Sequence, residues 1–395
     1  MNILFYRYGS ICEPDILDVF KKMNCNVFEE TQEMHDKSLS SAQKLASVSE
    51  VLCSQPIDFV FSLNFFPFLS ELCERLGILY VCWSVDCPVL ELFSATIRSS
   101  HNRIFLFDYH QYETFHPQNP EGIFYLPLAT NVARWDQAIA SASASEHKQY
   151  ASELSFVGSL YHEKSPLSVL QADSPLPDYW NGYVKGLVEA QLKIYGYNLL
   201  EESIPESLIA ALKEAFPDFY HMENTFMDTD RYVAANYYLG MRVSETERIR
   251  ALNALAADHP VTLYTRSDTS LLQNVDCRGG VTTHTQMPLI FHNSKINLNI
   301  TMKSIQTGLS LRVWDILGCG GFLLSNYQAE IPEYFEIGKD LDCYESLAEL
   351  KEKAVFYLAH DDIRREIAQS GYEKVKAMHT YEARIASMLK ILFNP

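Results

Sequence analysis

One stretch of this chain, residues 311–330, constrains the fold more than any other, and it reads LRVWDILGCGGFLLSNYQAE. Its first part has the apolar spacing of a helix that is buried on one face. Cys319-Gly320-Gly321 ends the helix with residues that tolerate positive φ, and Phe322-Leu323-Leu324 continues as an apolar strand. The stretch is therefore predicted to be a helix that runs directly into a buried strand.

The start of this helix carries polar groups. Thr307-Gly308-Leu309-Ser310 forms a loop whose backbone amides point at the helix N-terminus, where an anion is favoured. Arg312 and Asp315 are three residues apart on one helix face, so a cation that grips phosphate emerges beside a carboxylate that accepts hydroxyl donors. This pairing suits a sugar nucleotide. The alternative is an ordinary amphipathic helix with Arg and Asp on its surface.

This stretch resembles the C-terminal half of GT-B glycosyltransferases, in particular the spore-maturation (CgeB-like) group related to glycosyltransferase family four. In family four, two acids separated by seven residues lie here; the second binds the nucleotide ribose and the first lies near the donor sugar. Asp315 takes the place of the second acid, whereas Thr307 stands where the first would be. The resemblance implies an α/β protein of GT-B class, with two Rossmann-like domains facing a cleft.

Residues 1–130 alternate apolar strands with helices, which predicts a doubly wound parallel sheet with helices on both faces. We assign residues 1–150 to an N-terminal Rossmann-like acceptor domain that ends in a polar linker, Ala138–Glu146. The expected strands are Ile3–Tyr6, Asn26–Phe28, Asp58–Ser62, Ile78–Trp83, Ile104–Phe107 and Phe124–Leu126.

Residues 151–375 are predicted to form the C-terminal Rossmann-like nucleotide-sugar domain, with an α-helical insertion at about 173–243. Ser244 and Glu247 have the spacing of a capping box, which places a helix start after the insertion. The amphipathic tail, residues 376–395, resembles the GT-B crossover helix that packs back on the N-terminal domain.

Composition excludes several classes of partner and compartment. The net charge of −18 opposes binding to nucleic acid and to anionic membranes. No run reaches the roughly 18 apolar residues of a membrane span. Nine cysteines lie scattered without a Cys-x-x-Cys pair, which favours buried reduced thiols over disulfides or a metal site. We therefore expect a cytoplasmic protein without membrane insertion.

Loops at the carboxyl ends of strands are the expected binding sites in such sheets. Gly158, Ser159 and Lys164 resemble the Gly-Arg…Glu-Lys loop that family-four enzymes place against the donor diphosphate, with Ser159 replacing the arginine; a tight turn is the alternative. Residues 326–330 are expected to hold sugar hydroxyls, or else form a surface turn. The predicted donor-binding residues are Gly158, Ser159, Lys164, Thr307, Gly308, Leu309, Ser310, Arg312, Asp315, Asn326, Gln328 and Glu330.

The resemblance places the nucleobase near a strand at Gly280–Thr282 and a turn at 285–288, with Val281, Gln286 and Met287 as contacts. In the first domain the acceptor is expected to meet residues at two strand ends. These acceptor residues are Tyr8, Gly9, Trp83 and Asp86.

Two residues are assigned catalytic roles. Asp86 lies at a strand end before Pro88, where it is suited to act as general base on an acceptor hydroxyl. It could instead cap a helix over Val89–Phe93. Arg312 is expected to stabilise charge on the leaving diphosphate.

The predicted function is transfer of a sugar from a nucleotide diphosphate sugar, with UDP favoured on commonness, to a hydroxyl of a protein or glycan. The GT-B resemblance implies that diphosphate is held by a helix dipole and basic side chains without a metal, and no cofactor is expected. Two alternatives stay open: a nucleotide-sugar epimerase of the same fold, and a catalytically silent subunit of a surface-assembly complex, which Thr307 and Ser159 favour.

Overall fold

The computed structural model describes residues 1–170 and 175–393, and the chain divides into two compact units. The first unit comprises Met1–Leu128, Met222–Asp228 and the described residues from Tyr381 onward. The second comprises Ala129–His221 and Thr229–Thr380. Each unit contains a six-stranded sheet in which every pair of neighbouring strands is parallel. The predicted α/β class with two parallel sheets is confirmed.

The sheet of the first unit has the strand order β2-β1-β3-β4-β5-β6. Its central strand β3 is buried along its whole length, as expected for a strand covered by helices on both faces. The order reverses between β1 and β3, so the loops after these strands flank the switch point where ligands bind in open α/β sheets. The strands are β1 (Asn2–Tyr6), β2 (Asn26–Glu30), β3 (Phe59–Leu63), β4 (Leu79–Trp83), β5 (Asn102–Leu106) and β6 (Ile123–Tyr125).

Helices of the first unit connect these strands. They are α1 (Glu13–Lys22), α2 (Gln32–His35), α3 (Ser41–Ser54), α4 (Pro67–Leu76) and α5 (Tyr109–Phe115), with 3-10 turns at Leu90–Phe93, Ala95–Arg98 and His116–Gln118. The helix expected over Val89–Phe93 is thus a single 3-10 turn. Val89 precedes it with no side-chain cap, so the alternative role of Asp86 as a helix cap is wrong.

The sheet of the second unit has the order β12-β11-β10-β7-β8-β9, and its switch point lies between β7 and β10. These two strands contribute Leu154, Phe156, Ile296 and Leu298 to one buried hydrophobic cluster. The strands are β7 (Ser152–Val157), β8 (Val261–Tyr264), β9 (Val275–Cys277), β10 (Ser294–Asn299), β11 (Leu323–Asn326) and β12 (Asp342–Tyr344).

Twelve helices of the described part belong to the second unit, together with a 3-10 turn at His162–Lys164 and a π-helical segment at Ala234–Leu239. They are α6 (Val132–Ser141), α7 (Ala144–Gln149), α8 (Asp178–Gln191), α9 (Leu200–Ser203), α10 (Glu206–Ala215), α11 (Asp230–Val233), α12 (Gly240–Ala256), α13 (Gln286–Asn293), α14 (Leu311–Gly318), α15 (Ile331–Tyr334), α16 (Leu347–Ala359) and α17 (Asp361–Met378).

The segment Ala138–Glu146, expected as a polar linker, is helical for most of its length. Ser143 caps α7, and the Glu146 side chain accepts from the Ser143 backbone in a complete capping box. Alanine favours helix, so an Ala- and Ser-rich composition was a poor guide to an extended linker. Both helices lie in the second unit, which begins at Ala129 rather than at 151.

Two other local expectations differ from the structure. The helix expected to begin at Ser244 begins upstream, because α11, the π-helical segment and α12 follow one another from Asp230; Ser244 donates to Gly240 O inside the helix instead of capping it. No strand forms at 280–282, since β8 pairs with β9 at Val275–Cys277. The insertion expected at about 173–243 is helical from Asp178; its residues 173–174 lie outside the described residues.

The last helix, α18 (Tyr381–Phe393), belongs to the first unit and contacts α1 there. Ile385 and Met388 are fully buried, and Lys22 forms an ion pair with Glu382. Over residues 1–170 and 175–393, no helix combines the length and apolar character needed to cross a bilayer.

Candidate active site

The switch point of the second sheet brings two predicted loops together. The loop Gly158–Lys164 follows β7, and residues 300–310 follow β10. Arg248 of α12 joins them, since its Nη1 donates to Ser159 O at 2.5 Å and its Nη2 to Ile300 O at 2.6 Å. This arginine was not predicted, because both of its partners are distant along the chain.

The Gly158–Lys164 loop is held mainly by its own hydrogen bonds. Ser159 Oγ donates to Glu163 Oε1 at 2.6 Å. Together with a bond from Ser267, this lowers the pKa of Glu163 despite the opposing effect of burial. Gly158 was predicted to bind the donor, but its amide donates to Tyr264 O at 3.1 Å as an extension of the strand pairing, so this N–H is not available to a phosphate oxygen. Lys164 is exposed beside the Tyr161 ring and keeps its predicted availability.

Three polar residues at the end of β11 and directly after it, Asn326, Gln328 and Glu330, were expected to hold sugar hydroxyls, but they are buried. Gln328 Nε2 donates to the carbonyls of Ile305 and Gly308, each at 3.1 Å. Asn326 Oδ1 accepts from the Thr301 amide at 2.9 Å. Asn326 and Gln328 therefore shape the loop that precedes α14, in place of the direct contact with a sugar that was expected of them.

Glu330 lies beside the threonine that replaces the family's first acid. Thr307 Oγ1 donates to Glu330 Oε1 at 2.7 Å, and the Glu330 amide donates to Thr307 O at 3.1 Å. A carboxylate from another part of the sequence therefore lies at the loop where Thr307 replaces an acid. Leu309 is 1% exposed and packs into the interior.

The N-terminus of α14 follows directly from this loop. Ser310 occupies the capping position, but its Oγ donates to Asn299 Oδ1 at 3.3 Å and does not cap the helix. Helices leave their first N–H groups without intrahelical partners, so this end favours a negative charge.

Arg312, Asp315 and Met287, all predicted site residues, meet along α14. Arg312 Nη1 lies 3.5 Å from Asp315 Oδ2 and contacts Met287 Sδ, and its guanidinium packs over the Phe291 ring. The Arg312 side chain is 25% exposed. Burial lowers its pKa, and the Asp315 charge opposes that shift. The arginine therefore keeps an accessible edge while its partners fix its position.

Asp315 is almost fully buried, with a side chain only 4% exposed. Its Oδ1 accepts from Thr130 Oγ1 at 2.8 Å, and Trp135 Nε1 donates to the same hydroxyl at 2.7 Å. The carboxylate already has two protein partners, Thr130 and Arg312. With so little of the side chain exposed, the carboxylate offers a ribose hydroxyl little accessible surface.

The predicted nucleobase contacts fall at the start of α13 rather than on a strand and turn. Gln286 is the first residue of that helix, and its Oε1 accepts from the Thr282 amide at 2.9 Å. Met287 is 2% exposed, and Val281 is half-buried. Gln286 therefore fixes the turn before α13, and Met287 contacts Arg312. Val281 lies outside α13 and is half-buried.

In the first unit, the loop after β1 closes around a buried carboxylate. Glu13 is 1% exposed, and its Oε1 accepts from the amides of Tyr8, Gly9 and Ser10 at 2.9, 2.9 and 3.0 Å. Arg7 Nε donates to the other oxygen at 3.2 Å. This ring of amides has the form of an anion-binding nest that is filled by the chain itself.

Asn64, directly after β3, forms hydrogen bonds with two of the predicted acceptor residues, Tyr8 and Asp86. Its Nδ2 donates to Tyr8 Oη at 2.8 Å and to Asp86 Oδ2 at 2.7 Å, while its Oδ1 accepts from the Val85 amide. Burial and the Asp86 charge raise the pKa of Tyr8. Asp86 is exposed, so its carboxylate is open to an acceptor.

Trp83 was expected to meet the acceptor, but it is fully buried. Its Nε1 donates to Leu126 O at 3.2 Å, and its ring contacts Tyr381 edge-on. An aromatic residue at the end of an apolar strand is therefore part of the core here.

A second buried cation lies after β10. Lys303 Nζ is 3.4 Å from Glu247 Oε2 and packs over the Tyr195 ring. Lys303 and Glu247 are 8% and 5% exposed, so Glu247 of the expected capping box serves this pair instead. The signal in the sequence was a run of charged residues, Glu245, Glu247 and Arg248, on a helix that is otherwise buried.

Asp-x-Asp sequences occur at 228–230 and 340–342. Three of these carboxylates are 3.0 Å or less from a lysine Nζ: Asp230 from Lys213, Asp340 from Lys374 and Asp342 from Lys353. In the described ranges no three His, Cys, Asp or Glu side chains gather in an arrangement that would hold a metal ion.

Residues 246–390 match the family described as glycosyl transferase-like. An uncharacterised protein of Aquifex aeolicus is 28% identical over 107 residues, which cover 26% of this chain and 27% of that protein. The chain thus matches about a quarter of the length of that curated relative.

Solved structures of other proteins share the fold over nearly the full length of the chain. A glycosyltransferase from Rickettsia africae superposes with a TM-score of 0.55 at 11% identity, covering 100% of this chain and 99% of that one. Anabaena HepE in complex with UDP and glucose gives 0.53 at 11% identity, covering 99% of both chains. Phage T4 BGT with its UDP-glucose substrate gives 0.52 at 9% identity, covering 100% of both. The chain therefore shares the overall fold of these solved structures, and residues 246–390 match the glycosyl transferase-like family model.

Proposed function

We propose that this chain transfers a sugar from a UDP-sugar to a hydroxyl group of a protein or glycan. The observation that carries the proposal is the switch point of the second sheet, where the Gly158–Lys164 loop, residues 300–310 and the N-terminus of α14 meet. Ligands of open α/β sheets bind at such a point, and anions bind at helix N-termini. UDP is favoured because similar folds were solved with UDP or UDP-glucose.

The diphosphate is assigned to the uncapped start of α14 together with Arg312 and Lys164. Arg312 has an exposed edge and a planar guanidinium that binds two oxygens at once. In the leaving diphosphate these groups stabilise the developing negative charge. Glu330, bonded to Thr307, supplies the carboxylate near the donor sugar that the sequence lacks at 307. This arrangement needs no metal, and metal-independent transfer is part of the proposal.

Asp86 is assigned as general base toward the acceptor hydroxyl, with Asn64 and Tyr8 fixing its position. A base of this kind favours inversion at the anomeric carbon, whereas a relation to family four favours retention. From the pattern of Arg312 and Asp315 we infer that the chain belongs to the spore-maturation group related to family four. The anomeric configuration of the product decides between inversion and retention.

We place the reaction in the cytoplasm. All nine cysteines are free thiols, and seven of them are buried. Such a set persists in a reducing compartment.

Donor binding is tested by calorimetric titration with UDP, GDP and dTDP in EDTA. The comparison uses the wild type, Arg312→Ala and the matched control Arg365→Ala, whose side chain is exposed on α17. We expect UDP to bind the wild type and Arg365→Ala, and Arg312→Ala to raise Kd about tenfold or more, which corresponds to ~1.4 kcal/mol. Equal affinities would exclude Arg312 as a diphosphate ligand. Binding that requires a divalent ion would overturn metal independence.

Transfer is tested on Asp86→Asn, with Asp36→Asn on an exposed loop of the same unit as the control. Asp86→Asn is expected to leave the Kd of UDP unchanged and to lower kcat about a hundredfold, the usual size of a general-base effect. Undiminished kcat would remove the base role. Conversion of the donor sugar without an acceptor would favour an epimerase, and absence of binding to all three nucleotides would favour a silent subunit.

A further inference from the structure

A pocket between α8 and α12 lies outside the site described above. Its volume is about 290 Å³, and the loop 167–169 closes one side. Arg242, Thr246 and Arg250 follow one another at four-residue intervals, so they share one face of α12. Arg248, two residues beyond Thr246, projects from the other side of the helix toward the switch point. The pocket is therefore separate from the proposed nucleotide site.

Three cations line this pocket against one carboxylate. Lys185 and Glu189 come from α8, and Arg242 and Arg250 come from α12. Glu189 receives both terminal nitrogens of Arg250, with Nη1 at 2.8 Å, so the carboxylate holds that guanidinium in place. Such a positive lining is unexpected in a chain with a net charge of −18.

Arg242 is fixed at the wall of the pocket. Its Nη1 donates to Leu167 O at 2.7 Å and lies 3.9 Å from Glu245 Oε2. Burial and the neighbouring Arg250 charge lower the pKa of Arg242, while Glu245 opposes them. Two guanidinium groups that repel each other across a half-open pocket are stabilised by an anion between them.

The rest of the lining suits a sugar ring. Val184 and Val188 are buried residues of α8 that give an apolar wall. Thr246 Oγ1 donates its hydrogen to Arg242 O at 2.8 Å, so its oxygen is left to accept from a ligand hydroxyl. A volume just under the usual range for drug-sized ligands matches a monosaccharide with one charged group.

We propose that this pocket binds a sugar phosphate, with the phosphate between Lys185, Arg242 and Arg250 and the sugar ring against Val184 and Val188. The site does not depend on the transfer reaction. A sugar phosphate held here acts as an effector of the second unit.

The test is calorimetric titration of the wild type with hexose 1-phosphate, hexose 6-phosphate, the free hexose and inorganic phosphate. We expect at least one hexose phosphate to bind about tenfold tighter than inorganic phosphate, and the free hexose to bind more weakly than either. No binding of any hexose phosphate would overturn the proposal. Equal Kd values for inorganic phosphate and both hexose phosphates would also overturn it, since they would indicate a site for the anion alone.

Two variants separate the phosphate contacts from the sugar contacts. Lys185→Gln removes an exposed cation and is expected to raise the Kd of phosphate and hexose phosphate alike, about tenfold, whereas Lys148→Gln on α7 leaves both unchanged. Thr246→Val is expected to weaken only the hexose phosphate. An unchanged Kd in Lys185→Gln would place the ligand elsewhere. A UDP titration of the same samples separates this result from failure of the nucleotide site.

Discussion

Replacement of Glu13 is expected to destabilise the first unit, because this one side chain satisfies the loop after β1. Glu13 Oε1 accepts from three successive amides, and Arg7 Nε binds the other oxygen. Glu13→Ala removes all of these bonds. The net value of a hydrogen bond is about 1 kcal/mol, and part of the loop is open to water that can replace the carboxylate, so we estimate a loss of about 3 kcal/mol in the free energy of unfolding.

A second variant separates the hydrogen bonds from the charge. In Glu13→Gln the amide oxygen can still accept from Tyr8, Gly9 and Ser10, but the new NH₂ group faces Arg7 Nε, so two donors oppose each other. Only the interaction with Arg7 is lost, and we expect a destabilisation of about 1 kcal/mol.

Differential scanning calorimetry measures the melting of the first unit, and hydrogen exchange of the peptide that contains residues 7–13 measures the loop itself. The unit has about 150 residues, for which 1 kcal/mol shifts Tm by about 2–4 °C. Glu13→Ala should then lower Tm by about 6–12 °C and expose the three amides to exchange. Asp18→Ala, exposed on the same helix, serves as the control. A Glu13→Gln variant as unstable as Glu13→Ala would refute the reasoning, since it would assign the effect to charge rather than to the amides.

Two further predictions concern the second unit. Thr130→Val keeps the side-chain shape but leaves the Trp135 N–H and the Asp315 carboxylate without the hydroxyl. It should lower the free energy of unfolding, measured by thermal unfolding, by about 2–4 kcal/mol, whereas Thr130→Ser should lower it by less than about 1 kcal/mol. Equal losses in the two variants would contradict the role of the hydroxyl. Ser159→Ala should raise the pKa of Glu163, read by NMR titration, because a hydrogen bond to the charged form is lost. The folded pKa lies below the ordinary value of 4.5, so the stabilisation is present above about pH 4.5 and is lost as the pH falls through the folded pKa. An unchanged pKa of Glu163 would show that Ser159 does not contribute to the shift.

Most of the first sheet was predictable from the sequence because parallel strands covered on both faces are continuous apolar runs. Residues 59–63 form such a run and are buried at every position. The helix α14 and the strand β11 were predictable for the same reason, since a glycine pair separates two apolar segments. These are local properties of the chain.

Local sequence signals were misleading where a side chain can form a hydrogen bond either as a helix cap or inside a helix. Ser244 fits a helix cap, yet in the structure its hydroxyl donates to the carbonyl four residues earlier, which a serine inside a helix also does. The upstream turns become helical because Tyr238 and Leu239 are buried there. Tertiary burial, which the three-residue spacing of Ser244 and Glu247 does not report, decided the start of the helix.

The candidate site was predicted in part. Arg312, Asp315 and Met287 do meet, since two of them share a helix face. Arg248 was missed because its partners are two backbone carbonyls, and a carbonyl leaves no mark in a sequence. Polar residues after β11 were assigned to a ligand because their burial could not be read from composition.

The order in which the chain is made has a consequence for the first unit. Phe226 stacks on Phe93, and its amide donates to Phe93 O, while the Ala95 amide donates to Asn224 O. Residues 222–228 therefore pack on a part of the first unit that lies more than a hundred positions earlier in the sequence. The helix α18, which contacts α1, is synthesised only after the second unit has been made. The first unit is therefore completed later than the second, and a nascent chain must keep the exposed apolar surfaces of the first unit from aggregating in the meantime.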